Sequence, residues 1–170
     1  TSNKAVATVD GSGNVTAVSK GSATITAKAN DGSNKSASCD VTVSEKIYHV
    51  TGVTLTPTTA SITVGQTKTL TATVSPANAT DKSVSWKSSN ESIATVSDGG
   101  VVTAKTVGSA TITVTTTDGK KTATCAVTVT PILVTSVAVS PTTLAIVEGE
   151  TKSLNVTVAP SNATDKSVSW

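Results

Sequence analysis

The segment "NATDKSVSW" stands at residues 78–86 and recurs letter for letter at 162–170. It closes a longer match. "VTGVTLTPTTASITVGQTKTLTATVSPANATDKSVSW" at 50–86 aligns without a gap to "VTSVAVSPTTLAIVEGETKSLNVTVAPSNATDKSVSW" at 134–170, at a constant offset of 84. The rest of the chain repeats as well. "SNKAVATV" at 2–9 matches "SNESIATV" at 89–96, "GSATIT" occurs at 21–26 and 108–113, and "CDVTV" at 39–43 matches "CAVTV" at 125–129. Length differences are confined to the turn after Asp31-Gly32 and to the junction "SEKIYH" against "TPIL". The 170 residues are therefore one module of about 85 residues in succession, and such a period restricts the fold to a tandem array of small domains. The repeat divides the chain into the C-terminal half of a module at 1–46, a complete module at 47–131 and the N-terminal half of a module at 132–170.

Within the complete copy the apolar residues alternate. "TLTATVS" at 69–75 puts Leu70, Ala72 and Val74 on one face and threonines on the other. "ATITVTT" at 110–116 groups Ala110, Ile112 and Val114, and "TATCAVTVT" at 122–130 groups Ala123, Cys125, Val127 and Val129. A period of two with Thr opposite predicts strands with one dry and one wet face. Shorter runs at "VTLT", "SITV", "SVSW", "SIATV" and "VVTA" predict further strands, separated by Pro57, Val64-Gly65, "SPANATDK", Asp98-Gly99-Gly100 and Asp118-Gly119, all turn-forming. About seven short strands per module and no helical period predict an all-β fold of tandem antiparallel β-sandwiches.

Composition excludes several functions. Hydrophobic residues make up 36% of the chain, Phe and Met are absent, and the net charge is +2. Lysines are scattered singly or in pairs, and Tyr48, Trp86 and Trp170 are the only aromatic side chains that can stack on a base. Nucleic-acid binding lacks both a basic stripe and a stacking platform. No apolar run is long enough for a membrane helix, so no membrane insertion is expected within this segment.

The complete copy carries a set of short motifs: "VTLTP", "VGQTKTLTATVSPANAT", "VSWKSSN", "IATV", "GVVTAKTVGSATIT" and "CAVTV". With these it resembles a bacterial immunoglobulin-like domain of group 2, and the resemblance extends over both half modules. It implies an Ig-like sandwich of a kind found in tandem in bacterial surface adhesins, in extracellular enzymes as accessory modules and in phage virion proteins. The expected role is a structural or adhesive stalk at the bacterial cell surface. A phage virion module is the alternative, and an accessory domain of a secreted glycan-active enzyme is third. The expected partners are neighbouring Ig-like modules of the same or adjacent chains, with a host-cell surface protein or glycan left open.

Candidate sites are few. Trp86 lies in phase with Val84 and is expected in the sandwich core, where burying roughly 150–250 Å² contributes about 4–6 kcal/mol; the alternative is an exposed sugar-stacking platform. Cys39 and Cys125 hold equivalent positions beside valines on successive copies. Both are expected to be small buried hydrophobes and not a disulfide pair. His49 is the only histidine and lies in a junction, where it is expected to pack between modules or face solvent, so a histidine-based triad cannot recur per module. Asp31 and Asp118 precede glycines in matching turns. Glu148 and Glu150 flank Gly149, but their counterparts are Val64 and Gln66, which argues against a paired-carboxylate glycosidase site. "DGSGN" at 10–14 lacks the spaced acidic ligands of a calcium loop and is read as a turn. No catalytic, cofactor-binding or metal-binding residue is expected, and no cofactor.

Pro131, Ile132, Leu133 and Ile47 are expected to stiffen the junctions by packing between neighbours. Each half module taken alone exposes half a core, Trp170 included. Two explanations account for this: the chain is a window onto a longer array, or residues 132–170 of one chain complete residues 1–46 of the next. The first is preferred, because natural termini rarely fall inside a core strand.

Overall fold

The computed structural model describes residues 1–170 and contains fifteen strands and no helix. The chain forms two compact units, Thr1–Ile47 and Tyr48–Trp170. In the first, β1 (Ala7–Val9) pairs with β2 (Val15–Ala17), and β3 (Gly21–Lys28) pairs with β4 (Ser36–Val43), both antiparallel. A small core of Val6, Ala7 and Ala23 holds the two hairpins together, with Val41 and Val43 against it.

The second unit begins with the complete copy. Its strands are β5 (Gly52–Thr56), β6 (Thr59–Thr63), β7 (Thr67–Thr69), β8 (Thr71–Ser75), β9 (Val84–Ser88), β10 (Ala94–Val96), β11 (Val101–Ala104), β12 (Gly108–Thr116) and β13 (Thr122–Thr130). Two of these breaks interrupt one strand and pass its halves to opposite layers. Across Pro57, β5 pairs with β8 while β6 joins β13 in parallel. At Leu70, β7 pairs with β11 while β8 returns to β5. One layer is thus β6-β13-β12-β9, and the other is β5-β8 continued by β7-β11-β10.

The run at 69–75, read as one strand, is therefore two segments. Leu70 leaves the ladder and donates its N–H to the Gly100 carbonyl (2.9 Å). The alternation nevertheless survives, because Leu70 is buried while Thr71 and Thr73 face water. Between the layers, Leu55, Ile62, Leu70, Val102, Ile112, Val114, Cys125, Val127 and Val129 form one buried cluster. Each large aliphatic residue in it contributes about 1.5–3 kcal/mol.

Trp86 is half-buried and packs against this cluster. The strand phase is as expected, with Ser85 and Lys87 outward. Burial is incomplete because β9 is the edge strand of its layer, which puts the indole at the rim. Gly100 makes room for it. With φ +76°, a Cβ there would lie 2.6 Å from the Leu70 oxygen and 2.8 Å from the Trp86 ring.

Residues 132–170 contain two strands, β14 (Ser136–Ser140) and β15 (Asn155–Ala159), paired antiparallel. After β15, "NATDK" repeats the geometry it has after β8. Ala79 and Ala163 donate their N–H groups to the carbonyls of Pro76 (2.9 Å) and Pro160 (3.0 Å). Thr80 Oγ1 accepts the Tyr48 N–H (2.9 Å), as Thr164 Oγ1 accepts that of Ile132 (2.8 Å). Asp81 and Asp165 accept the N–H of Ser83 (2.8 Å) and Ser167 (2.9 Å). These bonds close within one half of a module, so the loop forms alike in both places.

Two expectations fail. Leu133 and Ile47, expected to pack, are exposed. Cys39 is exposed while Cys125 is fully buried, because the β1–β2 hairpin packs on β3–β4 only around Val6, Ala7 and Ala23 and leaves a concavity beside Cys39.

Candidate functional site

The junction places the single histidine beside a carboxylate. His49 is largely solvent-exposed, and its Nδ1 lies 3.2 Å from both Asp118 oxygens. Asp118 also accepts the Val50 N–H at 2.7 Å. The Val50 hydrogen bond, followed by that of His49, holds the Asp118 carboxyl below its ordinary value, since each favours the ionised form. The arrangement ties the segment leading into β5 to the turn between β12 and β13 and acts as a clamp. Asp31, the counterpart of Asp118, accepts the Ser33 N–H (3.0 Å) and closes its own turn; hydrogen bonds from Ser33 lower its carboxyl in the same direction.

"DGSGN" is a side-chain-closed turn. Asp10 Oδ1 accepts the N–H of Ser12 (2.9 Å) and of Asn14 (2.8 Å), and Oδ2 accepts from Asn14 Nδ2 (2.8 Å). In the complete copy Ser97 takes the Asp10 position, and its Oγ accepts the Val101 N–H (3.2 Å). The Asp10 carboxylate is thus committed to its own backbone, and the Asn14 contacts hold it below the usual range. Glu148 and Glu150 stand exposed in the turn at Gly149, where the Glu150 N–H bonds the Val147 carbonyl (3.0 Å). No group of three or more His, Cys, Asp or Glu side chains is placed to hold a metal ion.

The most distinctive surface is apolar and lies in the first unit. Val9, Val15, Ile25, Ala27 and Cys39 line a concavity between the β1–β2 and β3–β4 hairpins. By the repeat, these are the positions of Val96, Val102, Ile112, Val114 and Cys125 in the complete copy. Val15 is 48% exposed where Val102 is 0%, which measures what the complete copy gains from its front half. Residues 132–170 show the reverse: Leu154 is 38% exposed where Leu70 is 2%, and Trp170 is 80% exposed. Periodicity alone marks all of these as core. That two faces of the same kind stand open follows only from aligning the copies.

The chain matches the family of bacterial Ig-like domains (group 2) over residues 1–41, 49–127 and 133–170. It is similar to an Ig-like virion protein of Serratia phage KSP90, 44% identical over 121 residues, covering 69% of this chain and 47% of that protein. It is also similar to a kappa-carrageenase of Pseudoalteromonas carrageenovora, 48% identical over 65 residues, covering 38% of this chain and 16% of that one. Among solved structures, the S-layer protein rSbsC aligns with a TM-score of 0.47 at 24% identity, covering 81% of this chain and 20% of that one. The chain spans less than half the length of these relatives, 47% in the first case.

Proposed function

The chain belongs to the bacterial Ig-like domain family, group 2, and from that premise we propose that it is a non-catalytic structural module, a stalk or display unit of a bacterial cell-surface or extracellular protein. The observation that carries this reading is the way the copies are built. Residues 1–46 repeat the β10–β11 and β12–β13 hairpins of the complete copy, residues 132–170 repeat its β5–β8 pairing, the complete copy closes its core within itself, and its outward strand positions are mainly Thr and Ser. Such a unit extends a protein by stacking, stays wetted with little charge, and offers its loops for contact. In this reading residues 47–131 are a whole module, and 1–46 and 132–170 are the back and front halves of two others. Its partners are the neighbouring Ig-like modules, and a host-cell protein or glycan is what an adhesive stalk would touch.

The similarity to a phage Ig-like virion protein favours a second setting, in which the module stands on the outside of a virion. The match to a kappa-carrageenase supports a third, as an accessory to a glycan-active domain. Antibodies raised against residues 48–131 separate these settings. Labelling of intact bacteria, without permeabilisation, is the expected result. Labelling of purified phage particles alone selects the virion, and labelling only after cell lysis overturns an exterior role altogether.

A further inference from the structure

The complete module is joined on both sides to residues that match the same family, 1–41 before it and 133–170 after it. Any pull along the chain therefore enters it at Tyr48 and leaves it at Pro131. These points lie at opposite ends of β13. Where the chain enters, the Val50 N–H donates to Asp118 (2.7 Å) in the turn that precedes β13. Where it leaves, the chain has run the length of β13 to Thr130. Beside β13 lies β6, paired from Thr59 opposite Ala126 to Thr63 opposite Thr130. This pairing is parallel, whereas every other pairing in the module is antiparallel.

Parallel pairing decides how the ladder is loaded. Under tension β6 is drawn back toward Tyr48 and β13 forward toward Pro131, so the strands are pulled along each other and every rung bears load at once. At one end the Ala126 N–H donates to the Thr58 carbonyl (2.9 Å), and at the other the Val64 N–H donates to the Thr130 carbonyl (3.0 Å). Between them the N–H groups of Ala60 and Ile62 face β13 by alternation, and that of Ser61 faces outward. Thr63 Oγ1 and Thr130 Oγ1 add a contact at 3.4 Å. Packing opposes a gradual slip. Ile62 and Val129 stand opposite each other and are buried, while Ser61 is exposed. A shift of one residue would exchange the faces of Ser61 and Ile62. The strands therefore hold until ladder and core give way together.

We propose that the β6–β13 ladder is the load-bearing clamp of the module, by which it resists tension along the chain. This deepens the structural-module reading, on which it rests, by giving the module a mechanical task. Of the first strands after the entry, β5 pairs with β8, which has no ladder to β13. β6 is the one that bonds directly to the strand on which the opposite pull acts.

Single-molecule force measurements on the full chain, held by its two ends, test the clamp. The complete module gives a contour-length step of roughly 250 Å, the extended length of residues 48–131 less the folded span. The distance to the transition state should be no more than about 3.3 Å, one residue of strand, because one residue of slip breaks every rung. A second attachment, through Gln66→Cys and Pro131→Cys in a Cys39→Ser chain, pulls the neighbouring ends of β6 and β13 apart and opens the rungs in turn. Both attachment positions are exposed, and Cys125 is buried. The module should then yield at no more than about half the force, since forced unfolding follows the unfolding rate and the rungs are crossed singly. Ala60→Pro removes one rung and should unfold about tenfold faster than wild type at the same force, the worth of about one hydrogen bond. Ser61→Pro, at an outward N–H on an edge strand, should stay within about twofold.

Equal force in the two geometries overturns the proposal, as does an Ala60→Pro module that unfolds no faster than Ser61→Pro. If Ala60→Pro does not fold, the two attachments still compare the unsubstituted ladder and decide the matter alone. A module that is labelled on intact cells yet yields alike in both geometries loses the clamp and keeps its exterior role, so the two readings fail separately.

Discussion

The β3–β4 and β12–β13 hairpins are the same object in two surroundings. Ile25 pairs with Cys39 and Ala23 with Val41 in the first; Ile112 pairs with Cys125 and Ala110 with Val127 in the second. Yet Ile112 and Cys125 are sealed from water, whereas Ile25 is half-buried and Cys39 exposed. What differs is the layer opposite. β12–β13 faces Leu55, Leu70 and Val102 across the core, while β3–β4 has only the Val6, Ala7 and Ala23 cluster at one end. The pairing within the β3–β4 hairpin is thus satisfied locally, and its burial is not.

The widest test of this contrast is thiol chemistry. In dilute protein Cys39 should react with a thiol reagent at least about a thousandfold faster than Cys125, which reacts only through opening of the core. Burial also pushes the Cys125 thiol up from its ordinary value and reduces the reactive thiolate. Equal rates would mean that the two hairpins are equally covered. Next in size is truncation. Ile112→Ala should cost about 2–5 kcal/mol in urea unfolding of the complete module, and Ile25→Ala less than about 1 kcal/mol in its own unit, because a half-open site leaves little cavity.

Glycine replacement gives a finer contrast. Gly100→Ala meets the Leu70 carbonyl and the Trp86 ring as well as an unfavourable φ, and should cost about 2–4 kcal/mol. Gly13→Ala meets open space and should cost only the φ penalty of about 1 kcal/mol. Equal costs would show that the Trp86 contact carries no weight.

The smallest effect is that of pH. The folded Asp118 carboxyl lies below its ordinary 3.8, so its stabilisation is present above that value and is lost as pH falls through the lower folded one. Asp118→Asn should therefore destabilise the complete module at neutral pH, and the gap to wild type should close as acid titrates the wild-type carboxylate. A gap that is constant down to strong acid would remove the clamp at Val50 and His49 from the account.

Much of this was legible in the residues. The alternation of Leu70, Ile112, Val114 and Val127 against Thr marks which side of each strand is dry, and that holds even where the strand breaks. Trp86 was placed on the right face, although its edge position left it half-buried. The split at Leu70 was not legible, because the change of layer is set by Gly100 accepting its N–H, a contact across 30 residues. Nor was the His49–Asp118 clamp, whose partners stand 69 residues apart.

The sequence by itself determined everything that closes over short range: the hairpins, the Asp-Gly and Asp10 turns, and the "NATDK" loop, which takes the same bonds at 78–82 and 162–166. Local hydrogen bonds and alternating polarity need no distant partner, so identical letters give identical structure. Only the tertiary structure decided which apolar faces are interior. Burial depends on what stands opposite, and Cys39 and Cys125, or Trp86 and Trp170, carry the same local signals with different neighbours. "NATDKSVSW" therefore folds alike in its first five residues and parts company in its last, because the loop finds the same hydrogen-bond partners in both places, while Trp86 packs against a core cluster and Trp170 is exposed.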